Sequence, residues 1–111
     1  MKEIKLDILA FGAHPDDVEL GCGGTLAKEI HNGKKVGIID LTRGELGTRG
    51  DANTRDLEAQ NASKILGVEI RENLNFRDGF FTNDETHQLE IIKILRKYRP
   101  EIVLCNAQDD R

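Results

Sequence analysis

A chain of 111 residues with a formal charge of -4 and a sequence pI of about 5.4 holds one domain at most and offers no basic surface to a phosphate backbone. Its 38% of hydrophobic residues reaches the ordinary globular level once the 11 glycines are added, so a core of normal size can form. No run approaches the ~18 apolar residues of a membrane span, charged side chains (Lys2, Glu3, Lys5, Asp7) stand where a signal peptide's apolar stretch would lie, and Cys22 with Cys105 are too few for a disulfide framework. Together these point to the reducing cytoplasm and to neither a membrane nor a nucleic-acid partner.

Taken in order, the chain alternates strand and helix. Ile4 to Gly12 reads as a first strand, closing in an apolar run suited to burial on both faces. A charged turn, Ala13 to Glu19, follows, and Gly21-Cys22-Gly23-Gly24 leads into a helix over about Thr25 to His31, closed by Asn32-Gly33. Val36 to Leu41 is a second strand, and a polar, Gly-rich loop runs from Thr42 to Gly50. Asn53 or Thr54 can cap a second helix that carries Leu57, Ala62, Ile65 and Leu66 and ends at Gly67. Val68 to Leu74 reads as a weaker third strand. Thr82 with Glu85 has capping-box spacing and opens a helix carrying Leu89, Ile92 and Leu95, which stops before Pro100. Ile102 to Cys105 is a fourth strand, with Cys105 in the core.

This βαβαβαβ pattern with short connections predicts an α/β fold: a Rossmann-like parallel sheet with helices on both faces. There is no internal repeat, low-complexity tract or interdomain linker. Residues 106–111 read as a loop feeding a further helix, so the expectation is that residues 1–111 are the N-terminal part of a longer single domain.

The turn Ala13-His14-Pro15-Asp16-Asp17-Val18-Glu19 places one imidazole and three carboxylates directly after the first strand, where core formation has no use for them. His14 and Asp17, three apart, can face one point, and Pro15 biases His14 toward an extended conformation. Such an N/O pair suits zinc or another borderline divalent ion, with a neighbouring carboxylate left to handle protons. A solvated acidic turn is the bland alternative. Position argues against it: in a parallel sheet this turn, residues 42–53, residues 75–83 and the last residues all emerge at the strands' carboxyl edge, where ligands bind.

Residues 13–26, Ala13 through Leu26, closely resemble the first motif of the LmbE/PIG-L-like N-acetylglucosaminyl deacetylases. Asp40-Leu41-Thr42-Arg43-Gly44-Glu45 and Asp109-Asp110-Arg111 resemble further landmarks of the branch that makes bacterial thiols, especially the bacillithiol deacetylases. The resemblance implies a Zn2+-dependent amide hydrolase acting on an N-acetylglucosaminyl conjugate, with N-acetylglucosaminyl malate as the substrate expected for that branch. It makes His14 and Asp17 the metal ligands and Asp16 the general base. In the family a third ligand, a His, follows the Asp-Arg landmark, and a further His supports the oxyanion; both are expected beyond Arg111, so these 111 residues alone are expected to bind zinc weakly and turn over little substrate. The family also uses an Arg opening the second helix and an Asp in an Arg-Asp-Gly-like loop to hold the sugar, which implies Arg55 and Asp78.

A guanidinium fork and a carboxylate suit paired hydroxyls, although Arg55 can equally be a solvated helix-start side chain and Asp78 a turn residue before Gly79. Arg43 and Glu45 lie on the same rim, as substrate contacts or paired with each other. His31 falls at the far edge, His87 reads as a solvated helix-start residue, and Cys22 as a small residue in a Gly-rich turn, where a helix N-terminus could lower its pKa. Two rival classes remain: a receiver-like module holding magnesium, and a nucleotide-binding domain, which the absent phosphate loop disfavours. The relatives commonly assemble into homo-oligomers, which leaves that state open here.

Overall fold

The computed structural model describes residues 5–12, 17–42, 52–76 and 85–105, the side chains of Leu20 and of residues 52–55 excepted. In chain order these form β1 (Ile8–Gly12), α1 (Asp17–His31), β2 (Val36–Thr42), α2 (Ala52–Leu66), β3 (Ile70–Phe76), α3 (Glu85–Tyr98) and β4 (Ile102–Cys105). The strands make a four-stranded sheet in the order β3-β2-β1-β4, parallel at each pairing. The α/β class and the alternating order are as expected from the sequence.

β1 is buried along its whole length, and its alternating side chains feed two cores. Leu9 and Phe11 meet Leu6, Ile39, Ile94 and Tyr98 on the face covered by α3. Ile8 and Ala10 meet Val18, Leu26, Val36 and Ile38 on the face covered by α1. Leu9, Leu26, Ile38 and Ile39 are fully enclosed, and each such side chain contributes about 1.5–3 kcal/mol through removal from water. α2 packs on α1 and β3. At the end of α3 the Tyr98 hydroxyl donates to the Glu72 carboxylate, fixing that helix to β3.

Strand order sets the position of the functional edge. The chain steps outward from β1 to β2 to β3, then returns through α3 to place β4 on the other side of β1. The direction of winding therefore reverses beside β1, and the carboxyl end of β1 is the switch point at which such sheets bind ligands.

Several local expectations need correction. α1 starts at Asp17, well ahead of Thr25, and runs through the glycine-rich stretch with a break at Cys22 (φ -145°, ψ 19°). Each glycine weakens a helix by roughly 1 kcal/mol, which is why the stretch reads as a turn; burial of Val18 and Leu26 on the sheet outweighs it. α2 starts at Ala52, so Asn53 and Thr54 lie in its first turn and not at its cap. Its inward residues are the small Ala59 and Ser63, and Leu57 and Ile65 are exposed at 67% and 86%. α3 turns Ile94 and Tyr98 inward and leaves Leu89 and Ile92 exposed. Cys105 is exposed too, because β4 is the outer strand of the sheet, with Ile102 and Val103 half-open. Thr82, the expected cap of α3, lies outside the described residues. Gly33 and Gly67 close α1 and α2 as expected, with φ of +89° and +84°, their amides donating to Ile30 and Ser63 carbonyls at 2.9 Å.

Gly37 and Gly24 give opposite expectations. A Cβ on Gly37 would stand 2.6 Å from Leu6 Cδ1 and 2.9 Å from two Ile70 atoms, and Leu6 has no free space to yield into. Gly37→Ala should cost about 1–3 kcal/mol in urea unfolding. A Cβ on Gly24 meets nothing within 4 Å, and Gly24→Ala should raise stability by about 0.5–1 kcal/mol in the same assay.

Candidate active site

β1 ends at Gly12 and α1 begins at Asp17, both at the switch point. Asp17 is the first residue of α1, and it approaches β1 closely: a Cβ on Gly12 would stand 3.1 Å from Asp17 Cβ and 3.0 Å from Val18 Cγ2. The absence of a side chain at Gly12 thus permits the helix start to seat against the strand end. Asp17 and Glu19, both in the first turn, also complement the positive end of the helix dipole. His14 and Asp16 lie outside the described residues, as do Asp78, Arg43 and Glu45. The backbone of Arg55 belongs to the first turn of α2, at the sheet edge expected for it, while its side chain lies outside the described set. Among the described residues no group of three or more His, Cys, Asp or Glu side chains could hold a metal ion. The donor types of the turn nevertheless fit a borderline divalent ion, one imidazole and one carboxylate being two of the three protein ligands of a catalytic zinc site.

Glu19, in the same turn of α1 as Asp17, enters a buried ionic cluster that the sequence alone did not reveal. The Arg71 side chain on β3 is 2% exposed, and Asp40 on β2 is 3% exposed. Arg71 Nε donates to Asp40 Oδ2 at 2.7 Å and Nη2 to Asp40 Oδ1 at 2.9 Å. On the other side of the same guanidinium, Nη1 donates to Glu19 Oε2 at 2.7 Å and Nη2 to Glu19 Oε1 at 3.3 Å. Nη1 also reaches Ser63 Oγ at 3.2 Å and the Ala59 carbonyl at 3.4 Å, both on α2. Each guanidinium nitrogen is engaged, and both carboxylates are held in bidentate fashion. Burial opposes the Arg71 charge, but its bonds to Asp40 and Glu19, and their charges, outweigh burial and hold its pKa above the ordinary value. One signal was available in the sequence: Asp40 sits in an otherwise apolar strand, and a buried carboxylate requires a cationic partner.

Beside this cluster a polar cavity of about 200 Å³ separates α2 from the ends of β2 and β3; Asp56, Gln60, Asn73 and Asn75 help to line it. Asn73 Nδ2 donates to the Thr42 carbonyl at 2.7 Å, and Asn73 Oδ1 accepts from the Asn75 amide at 2.7 Å. These bonds hold the strand ends together where the β2–β3 register slips, with Asn75 at φ +60°, a region Asn tolerates better than most residues.

The remaining candidates sort by position. His31 is exposed at the end of α1, on the edge remote from the turn. His87 is half-buried and not solvated as expected, its ring meeting Phe76 edge-on with centroids 4.3 Å apart. Cys22 is half-buried, and burial followed by the nearby Glu19 charge pushes its thiol pKa up, the reverse of an activated helix-start cysteine.

A four-stranded parallel sheet whose winding reverses beside β1 defines an α/β protein of the Rossmann-like class, whose members bind ligands at the carboxyl ends of the strands. The chain belongs to the PIG-L (GlcNAc-PI de-N-acetylase) family, whose model matches residues 9–111. It is similar to the conserved protein TT1542 of Thermus thermophilus, with 45% identity and a TM-score of 0.90 over 96% of this chain and 48% of that one. The diacetylchitobiose deacetylase of Thermococcus kodakarensis is 35% identical over 104 residues, covering 87% of this chain and 39% of that protein. GalB, the 4-carboxy-2-hydroxymuconate hydratase of Pseudomonas putida, superposes with a TM-score of 0.81 at 25% identity, over 99% of this chain and 49% of that one. The chain thus spans less than half the length of each of these relatives.

The raised thiol pKa gives a direct expectation. At pH 8 Cys22 should be alkylated by iodoacetamide several-fold more slowly than a free cysteine, as followed by mass spectrometry, and Glu19→Gln should narrow the gap.

Proposed function

We propose that the protein carrying this chain is a zinc-dependent hydrolase that removes the acetyl group from an N-acetylglucosaminyl conjugate, working in the cytoplasm on a small molecule. The observation that carries this reading is the His14-to-Glu19 turn at the carboxyl end of β1, with Asp17 seated as the first residue of α1, in a chain of the PIG-L family. His14 and Asp17 would hold the ion. Zinc, when bound, polarises an amide carbonyl and lowers the pKa of water to about 7. Asp16, between the two ligands in sequence, accepts the proton of the attacking water and returns it to the leaving amine, so that acetate and a free amino sugar are the products. Arg55, opening α2, and Asp78, following β3, offer a donor fork and an acceptor pair to the sugar hydroxyls.

The acetylated amino sugar named for the Thermococcus relative supports the substrate class. N-acetylglucosaminyl malate, as used in bacillithiol biosynthesis, is the specific substrate we propose, on the landmarks Asp40 to Glu45 and Asp109 to Arg111. We take residues 1–111 as the N-terminal part of one deacetylase domain, with the remaining ligand and the oxyanion donor supplied from beyond Arg111. The likeness to GalB favours a second reading, hydration of a small unsaturated acid on the same scaffold.

Zinc content and acetate release decide between these. In the intact protein His14→Ala and Asp17→Asn should abolish zinc binding, measured by dialysis and metal analysis. Asp16→Asn should retain zinc and lower turnover by ~10²–10⁴-fold. Zinc binding without acetate release from any N-acetylglucosaminyl conjugate would refute the deacetylase and leave the hydratase. Binding of magnesium that is indifferent to His14→Ala would refute both.

A further inference from the structure

We infer that Arg71 is a positioning residue for the metal turn: through Glu19 and Asp40 it holds both ends of the segment that carries His14, Asp16 and Asp17. The inference rests on the zinc-hydrolase reading for what the turn does, and on geometry alone for how the turn is held.

The first end of the segment is Gly12. In the parallel register it lies opposite Asp40, the residue that takes the Nε and Nη2 hydrogens of Arg71. The second end is the opening turn of α1, where Glu19 takes hydrogens from Nη1 and Nη2 of the same guanidinium. Residues 13–16 therefore join two points that are both tied to one buried cation. The two points are also pressed together directly, since only the missing side chain of Gly12 lets Asp17 and Val18 approach it. Arg71 cannot itself be a substrate or metal-site ligand. It carries no acceptor, and all three of its nitrogens are committed to Asp40, Glu19, Ser63 and Ala59. Its role must pass through the carboxylates it grips.

The clamp also explains a local contradiction in α1. Three glycines follow closely upon the helix start, and the helix breaks at Cys22, so the opening turn gains little rigidity from the rest of the helix. Val18 anchors that turn by burial, but burial of an apolar side chain does not fix rotation about the helix axis. A bidentate carboxylate–guanidinium pair is directional, so it fixes the rotation. That rotation sets where the carboxylate of Asp17 points.

The test uses Glu19→Gln, Arg71→Lys and Arg71→Met in the intact protein. Glu19→Gln keeps the shape of the side chain and removes its charge, so the fold should survive. Hydrogen exchange without metal should be at least ~10-fold faster in a peptide spanning residues 13–22 of Glu19→Gln, with α3 and β4 unchanged. Zinc affinity, read by competition with a chromophoric chelator, should fall by ~10–100-fold, the usual effect of losing a group that orients metal ligands. Turnover should fall through kcat with KM little changed. Arg71→Lys, which cannot serve both carboxylates in bidentate fashion, should give an intermediate loss and Arg71→Met the largest. Exchange that rises uniformly over the molecule, or zinc affinity unchanged in folded variants, would overturn the inference. A wild-type protein that binds no zinc would overturn the proposed function instead, and the exchange measurement alone would then decide the clamp.

Discussion

One buried guanidinium ties together the elements around the carboxyl ends of β1 and β2. Arg71 stands on β3, its two carboxylate partners on β2 and in the first turn of α1, and its remaining acceptors on α2. Four successive elements, α1 through β3, thus share one buried cation. Such a cluster is not primarily a source of stability, since an apolar replacement of similar volume is often as stable. Removing the cation is different: it leaves the Asp40 and Glu19 carboxylates uncompensated in the interior, typically at about 3–5 kcal/mol. What a bidentate cluster supplies that hydrocarbon cannot is direction. It fixes relative rotation and register where apolar side chains would settle for contact.

That matters because of where the sheet puts it. The strand order β3-β2-β1-β4 brings the winding reversal next to β1, and the chain leaves β1 at Gly12 directly into the charged turn. The two cores on either side of β1 account for the burial energy and would form around any apolar set of suitable size. They specify a sheet with helices on both faces. They do not specify the angle at which α1 begins, and the combination of a bare Gly12 with the Glu19–Arg71–Asp40 cluster does.

The readable part of the sequence was the part governed by short-range rules. Apolar runs of strand length, helix-closing glycines at 33 and 67, and the alternation of the two element types led to a parallel sheet, because right-handed crossovers leave few other arrangements. The turn after β1 stood out as a candidate site by its charges. Where the reading failed, a long-range contact had overridden a local preference. Gly21, Gly23 and Gly24 look like a loop, yet α1 runs through them because Val18 and Leu26 are buried on the sheet. Leu57 and Ile65 look like a buried stripe, yet α2 turns Ala59 and Ser63 inward because it must sit close to Arg71. Arg71 itself was invisible: an Arg-Glu-Asn run in a weak strand resembles a solvated edge until Asp40 and Glu19 are brought beside it.

The chain is similar both to a sugar deacetylase and to a hydratase. On the proposed reading, a scaffold that holds the ends of a short charged turn in fixed orientation presents a site for water activation without defining the electrophile. In that reading the electrophile is selected by the rim at the start of α2, where Arg55 and the cavity lined in part by Asp56, Gln60, Asn73 and Asn75 lie. No donor of Arg71 is left for a ligand, so the clamp can be kept while the rim changes. On the proposed reading, holding the turn and choosing the substrate are separate tasks, even though Arg71 and Asp40 form one wall of the same cavity.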